Sequence, residues 1–244
     1  DEYDFLKAPT NIDIIYEDEN ILLVNKKPGL IVHPDETYHF DSLIARIQHY
    51  LYKKGEYNPQ KENSFIPALA NRIDRNTGGI VIAAKNAETL RILNQKIKNR
   101  ELKKFYLCIA YSKFKKKDDT LTAYLEKNEK QNRVYIHNSQ MENTKIIKTK
   151  YHVIAEKGNF SLLEVELLTG RTHQIRVHMA HIGPPLLGDL VYGHKRPEKG
   201  LSGQCLHARA LRFIHPRTGA LVTFTCPLPD YFQDVLARLG PPVG

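Results

Sequence analysis

The chain has 244 residues, 41% of them hydrophobic, and carries 36 lysines and arginines against 27 aspartates and glutamates, a formal net charge of +9. That length and apolar content suffice for a normal core, and the basic excess favours polyanionic partners such as nucleic acid. The sequence argues against a membrane or exported protein: no apolar run approaches the roughly 20 residues a spanning helix needs, and Asp1-Glu2-Tyr3-Asp4 lacks a signal peptide's basic and apolar regions.

Three cysteines, Cys108, Cys205 and Cys226, stand at wide spacing with no paired motif to suggest a disulfide framework or zinc cage. A reducing cytoplasm fits them. The start lacks an initiator methionine, which leaves room for a further module ahead of Asp1.

In chain order, Ile21 to Pro34 reads as two short strands broken at the Pro28-Gly29 turn pair. Ser42 caps a helix whose apolar positions Leu43, Ile44, Ile47 and Leu51 recur at helical spacing, and Gly55 to Ser64 forms a polar loop. The run Ile80-Val81-Ile82-Ala83-Ala84 has the pattern of a buried strand. Asn86 caps a helix through about Asn99, with Leu90, Leu93 and Ile97 on one face. Phe105 to Tyr111 returns as strand, with Tyr106, Cys108 and Ala110 sharing one face by the two-residue period.

Lys113 to Lys150 reads as a charged hairpin excursion, and Phe160 to Leu168 as a half-buried strand that alternates Leu163, Val165 and Leu167 with Glu164 and Glu166. Next, Thr172 caps a short helix that buries Ile175, Met179 and Ile182, leaves Arg176 off that stripe, and stops at Gly183-Pro184. A Gly- and Pro-rich loop from His194 to Gln204 leads to a β-prone region, Leu206 to Pro227. Tyr231 to Leu239 closes the chain as a helix packed through Phe232, Val235, Leu236 and Leu239. The organisation expected is one mixed α+β domain over residues 1–244, mainly antiparallel in its strands, with flanking helices.

Three features carry chemistry. The first is Asn71-Arg72-Ile73-Asp74-Arg75-Asn76-Thr77-Gly78-Gly79, a carboxylate between two arginines running into a glycine turn. Nearby positive charge keeps an aspartate ionised, so Asp74 reads either as a nucleophile or as a turn residue with solvated neighbours. The second is the basic run Lys96, Lys98, Arg100, Lys103, Lys104, Lys113, Lys115, Lys116 and Lys117, opposed only by Glu101 and suited to phosphate contact. The third is the trio His173, His178 and His181, whose spacing and lack of a carboxylate ligand favour structural histidines over a metal site. No phosphate loop, dinucleotide fingerprint or Gly-x-Ser-x-Gly elbow is present, which weighs against nucleotide-dependent or serine-hydrolase chemistry.

Together these residues resemble the RluA-type pseudouridine synthase family. Asn71 to Ile80 is similar to that family's His-Arg-Leu-Asp-x-x-Thr-Ser-Gly-Leu signature, and Thr169-Gly170-Arg171-Thr172-His173-Gln174-Ile175-Arg176-Val177-His178 to its second. Asn25-Lys26 with Pro28-Gly29, Lys104-Phe105-Tyr106, Gly188-Asp189 with Tyr192-Gly193, and Leu206-His207-Ala208 resemble further landmarks in the same order.

The resemblance implies the pseudouridine synthase fold with a central catalytic cleft, and isomerisation of uridine to pseudouridine in RNA without cofactor or metal. By motif position Asp74 is the catalytic carboxylate, acting on ribose or base. Arg176 holds it ionised and aimed, Tyr106 stacks on the flipped uracil, and Ile175 lines the pocket. Because the target must leave its stack, Arg72 is the candidate wedge that fills the vacated space. Lysines between Lys96 and Lys117, with Lys195-Arg196, would hold RNA phosphates.

The chain departs from the pattern at Asn71, where histidine is usual, and at Gly79, where serine is usual; Asn71 cannot titrate near neutral pH. Large-subunit ribosomal RNA is the expected substrate and transfer RNA its main alternative. Relatives of the ribosomal kind often carry an RNA-binding domain ahead of the catalytic one. A non-catalytic ribosome-assembly factor is the contrasting reading.

Overall fold

A computed structural model of the chain describes residues 1–35, 40–61 and 63–239. A 3-10 turn at Asp4–Lys7 precedes β1 (Asp13–Glu17), β2 (Ile21–Lys26), α1 (Leu43–Lys54), β3 (Ala68–Leu69), β4 (Gly78–Ala84), α2 (Ala87–Lys98) and β5 (Lys103–Tyr111). Then follow β6 (Asp118–Asn128), β7 (Arg133–His137), β8 (Lys145–Lys157), β9 (Phe160–Leu167), α3 (Gln174–Ile182), β10 (Leu206–Ile214), β11 (Leu221–Thr225) and α4 (Asp230–Leu239). The fold is α+β, and every strand pairing with a described register is antiparallel. Two compact units emerge, one of Asp1–Leu102 with Ala210–Cys226, the other of Lys103–Arg209 with the segment from Pro227 onward.

In the first unit β2 pairs with β1 on one side and β4 on the other, β3 adds to β4, and β10 forms a hairpin with β11. Every residue of β4 is buried, as are Ile21 to Val24 of β2, so these strands read as unbroken apolar runs rather than alternating ones. The predicted cap of α1 forms, the Ala45 N–H donating to Ser42 Oγ at 3.2 Å, and Asn86 caps α2 through the Thr89 N–H at 2.9 Å. Gly55 ends α1 in a left-handed conformation.

The second strand expected between Leu30 and Pro34 does not form. Its carbonyls serve α1 instead: the Leu43 N–H donates to Ile31 O and the Ile44 N–H to Val32 O, filling two of the helix's unpaired N-terminal donors. Strands β1 and β3 were not legible, being short or pairing only at the margin of the sheet.

The second unit is the antiparallel series β5-β9-β8-β6-β7. The expected charged hairpin is in fact three strands, β6, β7 and β8. In β8 the buried positions Ile147, Thr149, Tyr151 and Val153 alternate with half-buried or exposed Lys148, Lys150, His152 and Ile154, a two-residue period that the surrounding lysines disguise. Helix α4 packs Phe232 and Val235 against Ile109, Leu187 and Cys205. Helix α3 places Val177 among Ala123, Leu125, Val134 and Ile147.

The start of α3 departs from expectation. Its N-cap is His173, left-handed at φ 56° and without a side-chain capping bond, rather than Thr172. Ile182 is exposed and Arg176 is buried, the reverse of the predicted stripe. Because Gln174 through Met179 are all buried, no apolar stripe distinguishes an inner face. All three cysteines are free and buried, and no helix among the described residues is long and apolar enough to cross a membrane.

Candidate active site

Asp74 lies in the first unit on an irregular segment between Ala70 and Gly78, half-buried, with Arg72 and Arg75 exposed on either side. The Thr77 N–H donates to the Asp74 carbonyl at 3.0 Å and closes a turn. Beneath it Lys26, at the end of β2, is buried to 1% exposure. Its ammonium donates to Lys27 O at 3.0 Å, Leu30 O at 2.7 Å and Arg75 O at 2.9 Å, one acceptor for each N–H. Burial drives the Lys26 pKa down to about 7, and the negative charge of Asp74 acts against that shift.

The same carbonyl of Arg75 accepts the Gly29 N–H at 2.7 Å, so the Pro28-Gly29 turn is fastened to the Asp74 turn. Gly78 makes this possible: a Cβ there would lie 2.8 Å from Pro28 Cδ. In the sequence Lys26 is only a landmark, since all three of its acceptors are backbone carbonyls.

Asn71 holds the other end of the segment. Its Oδ1 accepts the Ile82 N–H at 2.8 Å and its Nδ2 donates to Ile80 O at 3.3 Å, so one carboxamide occupies two backbone groups of β4. This buried bridge needs a donor and an acceptor at fixed spacing, which accounts for asparagine without any proton role. Asn71→Ala strands both backbone groups and should cost about 2 kcal/mol, read as a shifted urea midpoint. Gly79 sits at φ 126°, where a side chain is strained, so serine there would demand a different backbone.

Tyr106, Ile175 and Arg176 belong to the second unit. Tyr106 is buried on the face of β5 predicted for it, opposite Val165 of β9, which in turn faces Tyr151 of β8. Arg176 is 8% exposed and meets the fully buried carboxylate of Asp189 in a two-pronged pair, Nε to Oδ2 at 3.0 Å and Nη2 to Oδ1 at 3.1 Å. Asp189 Oδ1 also accepts the N–H groups of Val191 and Tyr192, at 3.1 and 3.2 Å. The guanidinium carbon lies 5.2 Å from the Tyr192 ring centre, as does that of Arg133. Tyr192 Oη accepts the Val134 N–H at 3.0 Å, and is 2.7 Å from His173 Nδ1. Thus Asp189 and Tyr192, landmarks without a role in the sequence, fix the plane of Arg176.

Gln174 organises the start of α3. Its Oε1 accepts from Thr169 Oγ1 at 2.9 Å and the Arg171 N–H at 3.1 Å, while its Nε2 donates to Lys148 O and Thr149 Oγ1, both at 3.0 Å. His178 Nδ1 lies 2.8 Å from Thr149 Oγ1, and His181 Nε2 lies 2.7 Å from Asn138 Oδ1. The three histidines therefore serve three separate partners.

Burial, and then the neighbouring His181, push the His178 pKa down to about 4. An unfolded histidine titrates near 6.5, so between those values the unfolded chain binds a proton that the folded one refuses, and stability falls with pH. The contribution is complete above pH 6.5 and declines toward pH 4, by about 3 kcal/mol at most. His178→Gln should flatten that acid limb when urea unfolding is compared at pH 7 and pH 4.5.

Arg72 is exposed, and its charge adds to burial in lowering the pKa of His33. Of the expected phosphate-binding lysines, Lys98, Lys103, Lys113 and Lys115 are exposed, but Lys117 pairs with Glu156 of β8 at 2.6 Å, an opposing charge distant in sequence. Lys195 and Arg196 are exposed.

Residues 20–181 match a family model described as RNA pseudouridylate synthase. A protein of Bacillus subtilis (strain 168), described as an uncharacterised RNA pseudouridine synthase, is 34% identical over 236 residues, covering 97% of this chain and 75% of its own. The ribosomal large subunit pseudouridine synthase D of Nitrosomonas europaea is 33% identical over 239 residues, covering 93% and 65%. Among solved structures, human RNA pseudouridylate synthase domain containing 4 is similar in fold, with a TM-score of 0.74 at 21% identity over 93% of this chain and 92% of that one.

Proposed function

The chain belongs to the RNA pseudouridylate synthase family, of RluA type, and on that premise we propose that it converts specific uridines of large-subunit ribosomal RNA to pseudouridine with Asp74 as its catalytic carboxylate. The observation that carries this reading is the match over residues 20–181, which spans Asp74, Tyr106, Ile175 and Arg176. The ribosomal substrate is favoured by relatives named as large-subunit synthases, from Nitrosomonas europaea and Borreliella burgdorferi. The net charge of +9 supports a polyanionic partner.

In this reading the two units form one catalytic domain. The N1–C1′ bond of the uridine breaks, the uracil turns, and C5 bonds to C1′ as its proton leaves and N1 takes one up. Asp74 acts on ribose or base, and must be ionised to do so. Arg176, its plane set by Asp189, holds that charge. Tyr106 stacks on the flipped base, Ile175 forms an apolar wall, and Arg72, exposed on the irregular segment beside Asp74, enters the vacated stack. Retention of Asp74, Tyr106 and Arg176 together speaks against an assembly factor without activity.

The test is to incubate the protein with transcribed large-subunit ribosomal RNA and, separately, with transfer RNA transcripts, then digest and quantify pseudouridine by chromatography. Pseudouridine in the ribosomal RNA alone is the expected result. Formation only in transfer RNA overturns the substrate, and formation in neither overturns the activity.

A further inference from the structure

Among the described residues Lys104 differs from two other shielded lysines, Lys26 and Lys85. Lys26 has three carbonyls, and Lys85, 6% exposed, has Glu17 at 2.6 Å and Glu56 at 2.8 Å. Lys104 is half-buried, burial lowers its pKa, and among the described residues its ammonium meets neither a carboxylate nor a hydrogen-bond acceptor. A flexible lysine ordinarily avoids this by extending its charge into water, because a desolvated and uncompensated ammonium is costly.

Its surroundings keep it in place. In the register of β5, β9 and β8, Lys104 faces Leu167, which faces Thr149; the adjacent row is Tyr106, Val165 and Tyr151. Lys104 and Tyr106 thus share a face, about 7 Å apart along the strand. Above Lys104 lies Gly170, where an added Cβ would come within 2.7 Å of Nζ. That backbone cannot readily retreat, since Thr169 and Arg171 on either side are both bonded to Gln174. Gly170 has an ordinary backbone conformation, so its lack of a side chain serves the space beside Nζ rather than the turn.

Resting on the RNA reading above, we propose that Lys104 Nζ, beneath Gly170, is the seat of a backbone phosphate of the RNA, one strand position pair from the tyrosine that stacks on the target base. A phosphate brings the full negative charge the site lacks; a uracil carbonyl does not. Gly170 is the spacer that admits the ammonium and its anion.

The test uses Asp74→Asn as the parent, so that binding is measured without turnover, with the transcribed ribosomal RNA as probe over a series of salt concentrations. Lys104→Met should weaken binding about tenfold at low salt and lower the slope of log affinity against log salt by about 0.9. Its melting temperature should hold or rise, because an uncompensated charge is removed. Gly170→Ala, which displaces Nζ while keeping the charge, should weaken binding similarly.

Unchanged affinity in Lys104→Met, or weaker binding with an unchanged slope, overturns the phosphate assignment; a fall in melting temperature with no change in slope gives Lys104 a structural role instead. Unchanged binding in Gly170→Ala overturns the spacer. Binding by the parent with no turnover in the wild type overturns the functional reading alone, the slopes still judging Lys104. Absence of binding overturns both.

Discussion

Asp189→Ala is expected to destabilise the second unit by about 3–5 kcal/mol, the cost of removing one partner of a buried ion pair and leaving the other charge in place. For a chain of this size that is a fall of about 10 °C in the melting temperature, read by calorimetry or by circular dichroism. The reason lies in how much the carboxylate does. Asp189 is fully buried and receives two N–H groups from Arg176 and two from the backbone of Val191 and Tyr192, so alanine strands four donors at once. Asp189→Asn preserves the shape but replaces one acceptor oxygen with a donor facing arginine, and should be intermediate. Activity should fall in both, because Arg176 loses the contact that sets its plane. A melting temperature within 2 °C of wild type, a margin of about 1 kcal/mol, would show that Arg176 does not depend on Asp189.

Asp74→Asn should abolish conversion while leaving the fold intact. Loss of a catalytic nucleophile commonly costs on the order of 10⁴-fold or more in turnover, equivalent to about 5 kcal/mol of barrier. Asparagine has nearly the same shape, and the bond from the Thr77 N–H to the residue 74 carbonyl does not involve the side chain. The fold should therefore persist, with Lys26 as the informative neighbour. Its pKa is raised in part by the Asp74 charge, so neutralising that charge should lower it further. Near-normal turnover would remove Asp74 from the chemistry.

Much of this arrangement was legible in the residues. Helix caps at Ser42 and Asn86 are local signals with a local mechanism, and both formed as read. The two-residue period groups Tyr106 with Cys108 and Ala110, and all three are buried. What escaped notice depends on partners far along the chain. Arg176 stands off the apolar stripe in the sequence, and the charge that buries it, Asp189, lies beyond the end of α3. Lys26 is only a landmark in the sequence because its acceptors are carbonyls of two turns, one of them 49 residues away. The segment after Gly29 looked like a strand because its composition is β-prone, but its carbonyls were claimed by α1. Asn71, where histidine is usual, cannot titrate near neutral pH but still hydrogen-bonds, its carboxamide fitting two backbone groups of β4.

The central claim is that Asp74 drives uridine isomerisation, and the most direct measurement is tritium release from RNA labelled at C5 of uracil, since that position loses its hydrogen when the new bond to C1′ forms. Wild-type protein should release label from ribosomal RNA in step with pseudouridine formed, and Asp74→Asn should release none above background while still binding the RNA. Equal release by the two proteins would contradict the assignment of Asp74 as the catalyst.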